Sequence, residues 1–353
     1  MTSSPAEAPS SGRHRSGMPW LTVAVIGMIT LTVCLLALAA GRFSIPVVEV
    51  ARMLLGRVFP LERTWYAQEA SIVFEVRLPR VVLSFLVGAA LATAGAVLQS
   101  VFRNPLVSPQ VLGVSAGASF GGVLTMVLGL GSAWLVGGAF LFGLGALGCV
   151  MAFSRIVSSA PLLMIVLGGV VISALFSALT SLLTYVADPY RDLPAITFWL
   201  LGSLATAGWG SVLTALPPIL LGALAVFLLR WRLNILSLGD DDARALGVPP
   251  APYRNAALLA VALLTAAAIS VSGVIGWVGL LVPHLARLLV GSDNRVLLPA
   301  SFLVGGGYLT AVDTLARSIA SVEVPLGILT AIIGAPFFVV LLVRFRRRVW
   351  LSD

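Results

Sequence analysis

Lysine is absent from this chain. All 22 basic residues among the 353 are arginine, set against 14 acids for a formal net charge of +8. A Walker A loop needs its lysine on the phosphates, so the chain cannot be a P-loop ATPase. Cysteine is nearly missing too: Cys34 and Cys149 lie in separate apolar runs and carry no redox or metal signature. They read as packing residues. His284, in Val282-Pro283-His284-Leu285, is the one histidine outside the N-terminal tail. No HExxH, CxxC or Ser/His/Asp set exists, so no catalytic residue and no metal ligand is assigned. Charge of either sign is scarce, at 10% of residues, where soluble domains carry about 25%.

What is abundant is apolar. Hydrophobic residues make up 59% of the chain, more than a soluble fold can cover without large exposed patches. A spanning helix takes about 20 apolar residues, and the sequence divides into ten such stretches. They run over about 20–40, 81–102, 111–130, 133–153, 162–186, 211–229, 256–274, 276–289, 297–318 and 326–343. The first exceeds the core of a cleavable signal and reads as an uncleaved helix. Residues 1–17, rich in Ser, Pro and Gly, read as a disordered tail, and 18–348 as one all-α transmembrane domain. The segment Ile196–Ala205 is too short to span and reads as a surface helix. Gly113, Gly117 and Gly121 recur every four residues, a spacing that lets a second helix approach closely in lipid.

With ten spans both termini share one side. Placing that side in the cytoplasm puts 14 arginines inside and eight outside, as the positive-inside rule asks. Nucleic acid is excluded as a partner, because the arginines sit at helix ends and form no stripe. Asp313 precedes Arg317 by four residues, which predicts an ion pair along one helix face. Within the cytoplasmic coupling loop 231–255, Leu236 to Val248 reads as a short helix, a glycine turn and a second short helix, with Asp240 at its start and Gly247 past its end. Such a compact element suits docking of a partner.

The order of several motifs resembles the permease subunits of iron-siderophore and vitamin B12 ABC importers. In the first half these are Arg77-Leu78-Pro79-Arg80, Gly88-Ala89-Ala90-Leu91-Ala92, Arg103-Asn104-Pro105-Leu106 and Leu112-Gly113. In the second half they are Leu246-Gly247-Val248, Gly279 through Arg287, Pro325-Leu326-Gly327 and Gly334 through Phe338. The resemblance implies a ten-helix subunit of the vitamin-B12-importer type that works as a homo- or heterodimer in the cell membrane. It further implies two ATPase subunits that use ATP and Mg, and an extracytoplasmic substrate-binding protein; this chain itself binds no cofactor.

By position, Arg77, Arg80 and Arg317 resemble arginines that dock the binding protein. Leu238, Gly239, Asp240, Ala243, Arg244 and Gly247 resemble the helices that couple to the ATPase. Asn104, Leu106, Ser158 and Ser159 resemble residues of a cytoplasmic gate. The expected function is ATP-driven import of a ferric siderophore, or of a haem- or cobalamin-type chelate. The alternative is an ion-coupled secondary carrier, which the scarcity of buried carboxylates disfavours. A scaffold without transport is disfavoured by the coupling-type loop.

Overall fold

The computed structural model describes residues 18–349 except 42, 61, 157–160 and 320–321. The expected tail at 1–17, and Ser158 and Ser159, lie outside the described residues. Helix α1 (Met18–Ala39) is followed by the short α2 (Val47–Leu55). From Ala67 the chain then winds unbroken to Val101, through α3 (Ala67–Ser71), one π-helical turn (Ile72–Arg77) and α4 (Leu78–Val101). Pro79 accounts for that wide turn: it has no N–H for the carbonyl four residues back, and its ring crowds that carbonyl. A 3₁₀ turn (Pro109–Leu112) leads into α5 (Val114–Val127), α6 (Ser132–Ile156) and α7 (Pro161–Val186). Then come α8 (Asp192–Leu200), α9 (Trp209–Leu236), α10 (Asp240–Ala245) and α11 (Pro250–Ser272). The last three are α12 (Val278–Val290), α13 (Asn294–Ala316) and α14 (Leu326–Val349). No strand occurs among the described residues.

Among the described residues, seven helices are long and apolar enough to cross a membrane, and three shorter apolar ones, Val114–Val127, Val278–Val290 and Leu326–Val340, bring the apolar helices to the ten expected. Their burial differs sharply. Of the apolar window in the helix that contains α4, 89% is buried, against 28% for α6 and 17% for α7. So α4 is the core and α6 and α7 form an outer wall. Helices α9, α11, α12 and α13 surround α4. Glycine permits that closeness: a Cβ on Gly88 would overlap the Gly305 carbonyl of α13, and one on Gly95 the Gly279 carbonyl of α12. The four-residue glycine spacing of α5 acts as expected, since Gly117 and Gly121 press against the backbone of α6.

Four expectations need correction. The second span does not begin after Arg80; helix starts at Ala67, and its first three turns read as loop because Glu69, Glu75, Arg77 and Arg80 interrupt the apolar pattern. The sixth span does not end at Leu229 but continues as α9 to Leu236 through Arg230 and Arg232. The first of the two short helices expected in loop 231–255 is therefore the tail of α9, and only α10 is separate. The surface helix is α8, offset toward the N-terminus, and it is anchored by the fully buried Ile196 against Val123 and Ala187.

Candidate functional site

At one end of the bundle the structure brings Arg77, Arg80 and Arg317 together and buries all three. Arg77 (5% exposed) donates from Nη1 to the carbonyls of Leu38 (2.8 Å) and Ala39 (2.9 Å), and from Nη2 to that of Phe43. Arg317 (8% exposed) donates to the carbonyls of Ala40 (2.8 Å) and Ala37. The last carbonyls of a helix have no intrahelical partner and carry its negative dipole end. Two guanidinium groups thus finish α1, a role the sequence did not disclose.

Arg80 is engaged differently. Its Nε and Nη2 reach the Asp313 carboxylate at 2.8–3.1 Å, and its Nη1 and Nη2 reach Glu323 at 2.9 and 3.0 Å. The expected ion pair of Asp313 with Arg317 is present, but it is the looser of the carboxylate's two contacts. Those groups stand 3.9 Å apart with no hydrogen bond, because the carboxylate turns toward Arg80 on another helix. Forked bonds to a carboxylate are the stronger geometry.

The opposite end holds α10. Gly239 precedes it with φ +134°, a conformation L side chains rarely adopt. Asp240 is the first residue of the helix and not its cap, as Gly239 fills that position. Its carboxylate pairs with the buried Arg254 of α11, which fastens α10 to the bundle. Ala243 is fully buried, Arg244 pairs with Asp241 on the surface at 2.8 Å, and Gly247 closes the helix with φ +76°. Leu238 and Leu246, more than half exposed, flank the helix with apolar surface.

Beside α10, Asp293 caps α13 and accepts from the Arg295 N–H at 3.0 Å and from Asn234 Nδ2 at 2.7 Å. The Arg295 side chain holds its carboxyl at about 2, below the usual carboxylate range. Asn234 returns the contact by accepting the Asn294 N–H at 2.8 Å, so α9 and α13 are locked together.

Asn104 and Leu106 follow the end of α4 that lies near α10. Asn104 Oδ1 accepts the Leu106 N–H at 2.9 Å and folds the segment into a turn that leaves Leu106 half exposed. Both residues line a cavity of about 240 Å³ with Trp277, Leu280, Phe337 and Phe338. Trp277 takes φ +67°, an outlier for a bulky residue, and meets Phe338 edge to face at 6.2 Å. His284 lines the same cavity. Among the described residues no cluster of His, Cys, Asp and Glu has the makings of a metal site. Arg254, Glu323 and Trp277 escaped the sequence reading; a lone arginine after a proline pair, an acid in a loop and an aromatic in an apolar run offer no spacing to read.

Comparison with known proteins follows the same architecture. The model of the FecCD transport family matches residues 29–344. The molybdate import system permease MolB of Haemophilus influenzae is 43% identical over 320 residues, spanning 91% of this chain and 94% of that one. The cobalamin import system permease BtuC of Halobacterium salinarum is 43% identical over 274 residues, 77% of this chain and 73% of its own. A solved structure described as a metal-chelate type ABC transporter in an inward-facing conformation superposes with a TM-score of 0.82 at 40% identity, covering 91% of this chain and 98% of that one. These relatives are transport subunits and not enzymes. With its helical bundle matched nearly end to end, the chain belongs to the FecCD transport family and is a multi-pass permease of the ABC-importer type.

Proposed function

We propose that this permease moves a ferric siderophore, or a similar bulky metal chelate, into the cytoplasm by ATP-driven alternating access. The observation that carries the reading is the cavity beside Asn104 and Leu106, walled by Trp277, Phe337 and Phe338. Aromatic and aliphatic walls suit an organic ligand shell. At about 240 Å³ the cavity is too small to enclose such a chelate. A second permease subunit, of the same or a paralogous chain, supplies the facing wall.

In this reading the α10 end, both termini included, faces the cytoplasm, and Leu238 to Gly247 seats in one of two ATPase subunits. Asn104 and Leu106 belong to the inner gate. The binding protein docks at the arginine end, where three guanidinium groups outnumber Asp313 and Glu323. Their N–H groups are mostly spent within the chain, so docking draws on the surplus charge more than on free forks. Charge reversal at Arg77 and Arg317 that left capture from the binding protein unchanged would remove this assignment.

The test is uptake into proteoliposomes that contain the permease, its ATPase and its binding protein. A ferric siderophore should accumulate only with ATP and with all three components present. Uptake of molybdate in place of the chelate would refute the cargo, and uptake by the permease alone would refute the mechanism.

A further inference from the structure

A second cavity, of about 290 Å³, opens at the α10 end and meets the apolar one at Asn104, Pro105 and His284. Its charged lining is of one sign. Arg103 and Arg287 contribute to it, beside Ser237, Ser292 and Asn294, and no aspartate or glutamate does. Elsewhere in the chain a buried guanidinium is matched: Arg80 by two carboxylates, Arg254 by Asp240, Arg77 and Arg317 by carbonyls. Arg287 is half-buried, yet its bond to a neighbouring side chain goes to the neutral Gln99 Oε1 at 3.1 Å. A cation taken partly out of water without a counter-charge is costly, and an anion in this cavity relieves that cost.

Arg103 reaches the cavity from another wall. Its backbone takes φ +51°, and its Nη1 comes within 3.2 Å of the point where a Cβ on Gly239 would stand. Positive φ at a non-glycine residue is strain that persists where the surroundings fix it. Acids of the adjoining segments are turned elsewhere: Asp293 toward Arg295 and Asn234, Asp240 toward Arg254, Asp241 toward Arg244. Asp242 lies past Gly239, its Oδ2 at 3.9 Å from that same point. Asn294 spends its Oδ1 on the Ser100 hydroxyl at 2.8 Å, which leaves its amide as a donor.

We propose that this cavity is a binding site for a tetrahedral oxyanion, held by Arg103 and Arg287 with hydroxyl and amide donors around it. Planar guanidinium forks match such oxygens, and the volume leaves room for several waters at roughly 30 Å³ each. No carboxylate lines the cavity to balance a divalent cation. The proposal concerns one cavity and stands or falls apart from the importer reading. Free inorganic oxyanions and the phosphate of an anionic lipid headgroup share this chemistry.

The test uses the full chain in nanodiscs of phosphatidylcholine, with radiolabelled inorganic phosphate as probe, and in parallel nanodiscs containing phosphatidylglycerol. A free-anion site gives saturable phosphate binding in phosphatidylcholine that R103Q/R287Q weakens at least tenfold and R103K/R287K weakens less. A headgroup site gives no phosphate binding there; phosphatidylglycerol instead raises the unfolding temperature of the wild type and not of R103Q/R287Q. R103Q alone, on an exposed side chain, covers the case in which the change at Arg287 impairs folding. Absence of both effects, or effects that survive R103Q and R103Q/R287Q unchanged, overturns the proposal.

Discussion

Removing the Asp313 carboxylate should be among the most damaging single changes outside the apolar core. Asp313 is 1% exposed and receives three hydrogen bonds from Arg80, at 2.8, 3.0 and 3.1 Å. In D313A, Arg80 keeps only Glu323, whose side chain is 29% exposed, while Arg77 and Arg317 remain buried beside it. Three positive charges would then face one negative charge instead of two. Breaking a buried pair from one side costs about 3–5 kcal/mol, because the remaining ion is left uncompensated. For a chain of this size that corresponds to a fall of roughly 4–7 °C in the unfolding midpoint. E323A removes a partly solvated partner and should cost only about 1 kcal/mol.

The assay is thermal unfolding of the purified permease, followed by loss of its monodisperse peak on size exclusion. The decisive variant is R80M/D313L. Replacing both ions of a buried pair by apolar groups of similar size is often close to neutral, so the double variant should recover most of what D313A loses. If D313A unfolds no earlier than E323A, or if R80M/D313L is as unstable as D313A, the ion pair is not what holds this end together.

Other expectations follow from the same geometry. G95A drives a Cβ into the Gly279 carbonyl and should destabilise the chain by about 1–3 kcal/mol or more, as overpacking does; G145A, where the space is open, should leave the unfolding midpoint unchanged. G239V forces a branched side chain into φ +134° beside Arg103, and should lower substrate moved per ATP hydrolysed without lowering hydrolysis itself. Asp293, held at about 2 chiefly by Arg295, contributes stability that is complete above the unfolded carboxylate value near 4. That contribution is lost as pH falls toward 2, so the wild type should lose stability over this window while D293N stays flatter.

The sequence disclosed what depends on local pattern. Runs of apolar residues gave the seven membrane-length helices and three shorter apolar ones, and glycines four apart gave the contact of α5 with α6. Glycine punctuation marked α10. Misreadings arose where charge interrupts an apolar period although the helix continues, at Glu69 to Arg80 and at Arg230 to Arg232. There the backbone hydrogen bonds persist and only the lipid-facing character changes. Pairings between distant segments were illegible. Asp313 pairs with Arg317 four residues on, as its spacing implied, yet its hydrogen bonds go to Arg80, 233 residues away. Family membership leaves the ion-coupled carrier without support, since the relatives are ABC-importer permeases. It does not select the cargo, because a molybdate and a cobalamin permease match at the same 43% identity.

The enclosure of α4 bears on how the protein is made. This helix is the second membrane-length segment to leave the ribosome, but the helices that will wall it in begin only at Trp209 and end at Ala316. Until then Gly88 and Gly95 present a bare groove to whatever surrounds the nascent chain. The segment must therefore be apolar enough to rest in lipid alone and smooth enough to be engulfed later. A premature stop just before α13 should leave the Gly88 side of α4 uncovered, since Gly305 is missing, which marks the fragment for quality control even though most of its membrane segments are in place.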